Sequence, residues 1–150
     1  MRTEHRPASP TTFSLMGIDV AVLADGGDTA DAWEVIHQTV APGAGSPLHT
    51  LATDKLFVVL EGDLTLIVDG IEHASEAGAT ATVPAGVPHR FENRADRPGR
   101  LLVVTSGGGH VAFLAGLAEL AAEGRPTPAA MAALAAEHDV KILPTASSAA

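Results

Sequence analysis

Apolar residues in the first half of the chain either alternate with polar ones or run in short blocks. Ile18, Val20 and Val22 fall at every second position, Trp33 and Val35 repeat the spacing, Phe57-Val58-Val59-Leu60 is a block, and Leu64, Leu66 and Val68 alternate again. A period of two with β-branched enrichment predicts strands whose successive side chains leave opposite faces. Asp25-Gly26-Gly27-Asp28 reads as a turn, and glycines at 62, 70, 78 and 86 recur every eight residues. Short strands joined by evenly spaced turns predict an all-β sandwich or barrel.

The period changes after Gly107-Gly108-Gly109. Phe113, Leu114, Leu117 and Leu120 fall at helical spacing, and Gly124 stops the run. A second short helix is predicted over Ala129 to Glu137, with Thr127 as its cap, Pro128 at its first position, and Met131, Leu134 and Ala135 on one stripe. Both helices are expected to cover the barrel or to pack a dimer. The chain thus divides into an N-terminal segment (1–12), a barrel (13–109), two helices with a closing segment (110–143) and a tail (144–150). Thr145 to Ala150 is small and polar, and is expected to be loose.

With 150 residues, 46% of them hydrophobic, the chain suits one packed core. It has no cysteine, so disulfides, thiolate metal sites and thiol nucleophiles are excluded together, and a cytoplasmic location is the expectation. Met1 to Pro10 lacks the apolar run of a signal peptide, and no later stretch is long enough to span a bilayer, so no membrane partner is expected. A net charge of −9 without a Lys/Arg cluster argues against nucleic acid.

The most informative stretch runs from Gly78 to Asn93. Pro84 and Gly86 make a tight turn between two strands, so that His89 points inward with Phe91 and Asn93 in the same register. Arg90 and Glu92 take the opposite face, toward solvent or a partner subunit. Upstream, Gly43, His49, Leu51, Lys55 and Gly62 frame a second stretch that ends in Val59-Leu60-Glu61-Gly62.

These stretches resemble the paired motifs of the cupin family, G-x5-H-x-H-x3-E-x6-G and G-x5-P-x-G-x2-H-x3-N. The second is matched at every fixed position. In the first, the glycines and the first histidine agree, while Leu51 stands where the second histidine belongs and Lys55 where the glutamate belongs. Over about residues 13 to 143 the chain is similar to small single-domain bacterial cupins of the quercetin-dioxygenase-like group. The resemblance implies a double-stranded β-helix, or jelly-roll barrel, with two short C-terminal helices. In the family it also implies a divalent metal held by three histidines and a glutamate, for dioxygen chemistry or isomerisation. Only His49 and His89 carry over as ligands.

Positions 49, 51 and 55 of that pattern are separated by even numbers, so all three are expected to face the cavity, together with Phe57, Val59 and Phe91. Two imidazoles hold an ion weakly, and an ammonium in the carboxylate's place repels a dication by several kcal/mol at about 4 Å, even at an effective dielectric near 20. The expected cofactor is none, or a weakly bound Fe, Ni, Mn, Cu or Zn on His49 and His89. A third ligand would need Asp54 to swing in through a bulge, or His37 on the strand Ala32 to Val40 to face inward. Without a metal, burial lowers the pKa of Lys55 and makes an acid/base cluster with His49 and His89. Plainer readings stand beside this: a lysine at the barrel lip paired with Asp54 or Glu61, and histidines that merely fill space. His110, at the start of the first helix, is placed to reach the mouth, whereas His5, His73 and His138 lie away from it.

These residues point to an enzyme acting on a small apolar, aromatic or keto (polyketide-like) molecule by proton abstraction beside a carbonyl, giving isomerisation, cyclisation or decarboxylation. The alternatives are an atypical metal-dependent quercetinase-like dioxygenase and a non-catalytic small-molecule-binding cupin. The resemblance also implies a homodimer.

Overall fold

A computed structural model describes residues 10–144; the tail expected to be loose lies outside them, as does most of the N-terminal segment. The strands are β1 (Thr11–Leu15), β2 (Ile18–Ala24), β3 (Trp33–Val40), β4 (His49–Leu51), β5 (Lys55–Glu61), β6 (Asp63–Val68), β7 (Ile71–Glu76), β8 (Thr80–Val83), β9 (His89–Glu92), β10 (Gly99–Ser106) and β11 (Val140–Ile142). The helices are α1 (Gly26–Thr29), α2 (His110–Ala122) and α3 (Pro128–Glu137). The strands form two antiparallel sheets, ordered β1-β2-β3-β10-β5-β8 and β11-β4-β9-β6-β7, which pack face to face as a jelly roll.

Alternation builds the core between them. Val20, Ile36, Val40, Phe57, Val59, Leu101 and Val103 of the six-stranded sheet meet Leu64, Leu66 and Phe91 of the five-stranded one. The evenly spaced glycines have a backbone reason: Gly62, Gly70, Gly78 and Gly86 all adopt φ between 78° and 93°. At Gly62 space is also short, since a Cβ would approach the Gly99 Cα to 2.9 Å. Asp69 and Gly70, both at positive φ, make the two-residue turn of the β6–β7 hairpin.

Three elements depart from the sequence reading. The Asp25–Asp28 stretch, read as a turn, caps and opens the one-turn helix α1 with a reciprocal capping box, in which the Asp25 carboxylate accepts from the Asp28 N–H and the Asp28 carboxylate from the Asp25 N–H. The closing segment contains β11, which pairs with β4 and puts Val140 opposite Leu51 and Ile142 opposite His49. β1 starts at Thr11, so sheet structure extends past both ends of the 13–109 barrel. The two C-terminal helices form as expected, with the Thr127 hydroxyl accepting from the Ala130 N–H at 3.1 Å. Gly116 lets α2 approach α3 so closely that a Cβ there would meet Leu134 at 2.9 Å. Together α2, α3 and β11 cover one end of the barrel. Among the described residues no helix is long and apolar enough to cross a membrane.

Candidate functional site

Lys55 opens β5 with Val83 of β8 on one side and Thr105 of β10 on the other, so its side chain leaves the sheet only inward or outward. It goes inward and is 4% exposed. Its Nζ crosses to the opposite sheet, donates to His49 Nε2 at 3.2 Å, and lies 5.3 Å above the Phe57 ring. The plainer alternative, an outward lysine paired with Asp54 or Glu61, is not the arrangement found.

His49 and His89 are register partners on β4 and β9, with ring centroids 4.3 Å apart. Each Nδ1 faces a carbonyl, Pro47 O at 2.8 Å for His49 and Val87 O at 2.9 Å for His89, so Nδ1 carries the proton and Nε2 is left with a lone pair. His49 uses that lone pair to accept from Lys55, while His89 Nε2 has no partner among the described residues.

A cavity of about 360 Å³ opens over His49 and Lys55, within the range of about 300–1,000 Å³ of small-molecule pockets. Phe57, Phe91 and Val103 form its floor side, and Phe113, Leu114 and Leu117 of α2 its cover. His49, Lys55, Gln38, Ser46 and His110 supply its polar atoms.

Burial in these apolar surroundings pushes the Lys55 amine down to about 7. Burial, and then the nearby Lys55 charge, push His89 down to about 4 and hold His49 and His110 well below the ordinary imidazole value. At neutral pH the three imidazoles are therefore neutral, and Lys55 is the group that titrates.

Of the residues singled out from the sequence, Lys55, His49, Phe57, Phe91 and His110 line one cavity. His89 stands behind them, against His49 and Phe57 and off the cavity wall. Three placements need correction. His37 faces outward, where Arg100 Nε donates to its Nε2 at 3.0 Å, because β3 turns Glu34, Ile36, Gln38 and Val40 inward. Leu51 is buried beside Val140 of β11, and borders a separate depression with Gly86 and Ala135 instead of the cavity. Val59 lies two residues beyond Phe57 along β5, about 7 Å deeper into the core, and does not reach the cavity.

The sequence reading missed Gln38 and Glu34. Gln38 is 4% exposed, lines the cavity and leaves its Oε1 without a partner among the described residues. Its signal was its register with Ile36 and Val40. Glu34 accepts from the Gly26 N–H at 2.8 Å and the Val111 N–H at 3.0 Å, so its carboxylate fastens the start of α2 and holds His110 over the cavity.

The donor set does not fit the metal that the motif resemblance implies. Asp54, one proposed rescue, turns away from the cavity to accept from the Ala85 N–H at 2.9 Å, and His37 faces out. The His49 lone pair that an ion would need is taken by the Lys55 amine. Among the described residues no three His, Cys, Asp or Glu side chains are grouped to hold an ion.

Comparison with known proteins places this site in a family. The model of the cupin domain matches residues 36–105. Quercetin 2,3-dioxygenase of Bacillus subtilis is 35% identical over 85 residues, which are 55% of this chain and 25% of that protein, so the chain spans about a quarter of this curated relative. A sugar phosphate isomerase of the cupin superfamily from Silicibacter pomeroyi is 33% identical, with a TM-score of 0.55, over 62% of this chain and 61% of that one. An RmlC-like cupin from Shewanella frigidimarina superposes with a TM-score of 0.64 at 19% identity, over 73% of this chain and 96% of that one. The matched domain, the jelly-roll sheets and the preserved second motif together make the chain a member of the cupin superfamily.

Proposed function

We propose that this cupin binds a small, largely apolar carbonyl compound in its cavity and moves a proton on the carbon beside the carbonyl, without a tightly bound metal. One observation carries the reading: a buried lysine amine, hydrogen-bonded to a neutral imidazole, faces an apolar cavity. An amine that titrates near 7 is matched to proton transfer at neutral pH. It removes the proton as a base. The resulting ammonium then stabilises the enolate beside it and returns the proton, to the same carbon or to another. His49 Nε2 orients the amine, and His89 backs the His49 ring. Isomerisation, cyclisation and decarboxylation all pass through such an enolate.

The test is deuterium exchange at the α-carbon of a small aryl ketone, followed by NMR. Wild-type protein is expected to accelerate exchange, and Lys55→Met to lower the rate at least about a hundredfold without lowering the melting temperature. The rate is expected to rise with pH through about 7, as the amine loses its proton, and the substitution removes that inflection. Equal exchange by Lys55→Met would refute the role. A bound ketone that never exchanges would favour a receptor. The relationship to the Bacillus dioxygenase favours a second reading, an atypical metal-dependent dioxygenase. Stoichiometric Fe, Ni, Mn, Cu or Zn in protein purified without an affinity tag would support it.

A further inference from the structure

The Lys55 amine is a nucleophile as well as a base. We propose that Lys55 is a covalent attachment site for small apolar aldehydes and ketones, its Nζ forming an imine with the carbonyl carbon inside the cavity. This rests on the reading of the cavity as a site for carbonyl compounds, and it identifies how such a compound would be held.

Three observations carry it. Among the described residues no carboxylate pairs with Nζ, and its hydrogen-bond partner is the lone pair of a neutral imidazole. An amine held this way keeps its own lone pair available, whereas a carboxylate would hold it as an ammonium. Next, Leu15, Val103, Phe113 and Leu114 wall the space in front of the amine. Such a wall concentrates an apolar carbonyl compound and keeps out the water that would hydrolyse the product. Finally, Gln38, on the same cavity, has a buried Oε1 acceptor without a partner among the described residues, so a hydroxyl formed or carried there has somewhere to donate.

The step balances with the groups present. The Nζ lone pair forms the C–N bond, and the carbonyl π electrons move to oxygen. The two amine protons pass in turn by way of His49 Nε2 to that oxygen, the C–O bond breaks, and water leaves. No oxidant or other co-reactant is needed.

The chain makes the test clean, because it has two lysines, Lys55 and Lys141. Lys141, on β11, is exposed and serves as the internal control. The full chain is incubated at neutral pH with benzaldehyde and sodium cyanoborohydride, and reduced adducts are mapped by peptide mass spectrometry. A benzyl adduct is expected on Lys55 at a rate at least about tenfold that on Lys141. Lys55→Met is expected to lose that adduct, and Lys141→Arg, which leaves the cavity untouched, to keep it. Labelling of Lys141 as fast as Lys55, or of Lys141 alone, overturns the proposal. Ketone exchange that persists in wild-type protein without an adduct on Lys55 overturns the imine and leaves the acid/base reading standing. Loss of both removes both.

Discussion

Two stretches meet beneath the cavity, Gly43–Gly62 and Gly78–Asn93, and they have kept different things. In the second, every fixed motif residue is present and several have a backbone task. Gly86 adopts a positive φ in the turn after β8, and Asn93, 1% exposed, donates to Val40 O and Arg97 O and accepts from the Ala95 N–H. The first stretch also keeps its backbone residue, Gly62, but differs at two side-chain positions, 51 and 55. A residue that closes the backbone cannot change without disturbing the barrel, whereas a side chain that points into a cavity can change the chemistry and leave the barrel intact. His49 and His89, paired across the boundary between these stretches, mark the difference: one is engaged by Lys55 and the other has a bare Nε2.

Three experiments would break or sharpen that contrast. Asn93→Ala removes three hydrogen bonds, one buried and two part-buried, and should destabilise the fold by about 2–4 kcal/mol in urea unfolding. A loss as small as that of an exposed position would mean that the second stretch does not hold the barrel. Lys55→Glu sets a carboxylate beside the two imidazoles and removes the competing amine. Affinity for Co(II) by calorimetry should then rise at least about tenfold, or about 1.4 kcal/mol. No gain would show that residue 55 is not what separates this site from a metal site.

The third test is the pH dependence of stability. His49, His89 and His110 titrate below their ordinary 6.5 when folded, so as pH falls from 6.5 toward about 4 the unfolded chain binds protons first and stability is lost. Lys55 is lowered from 10.5 to about 7, so between those values the unfolded chain holds the extra proton and stability rises with pH. Melting temperatures scanned across both windows should show both slopes in wild-type protein. In Lys55→Met only the acid slope should remain.

Much of this was legible in the chain. Strands β2, β3, β5 and β6, the glycine turns, the Thr127 cap and the inward course of His89 all follow from local rules of period and backbone conformation, whereas β10 was not read. The pair of an imidazole at 49 and an amine at 55 was expected from even separation within one strand, but the two residues lie on β4 and β5 of opposite sheets and meet across the core, while Leu51 between them turns away from the cavity. The short capping-box helix at Asp25 was missed, since four residues carry too little periodicity to distinguish a helical turn from a bend. β11 was missed for a similar reason, as three residues take their strand form only by pairing with β4.

By itself, then, the sequence determined where the chain alternates, where it turns, and which residues travel together on each face. It could not say which face of β3 is interior, because apolar residues lie on both: Trp33 is 47% exposed while Ile36 is 1% exposed. Only the packing of one sheet on the other settled that choice, bringing Gln38 into the cavity and leaving His37 outside. The same packing laid α3 and β11 against Leu51, and let Glu34 hold His110 above Lys55's cavity. Period is a property of neighbours in sequence, whereas an interior is made by surfaces that are far apart along the chain and are removed from water together.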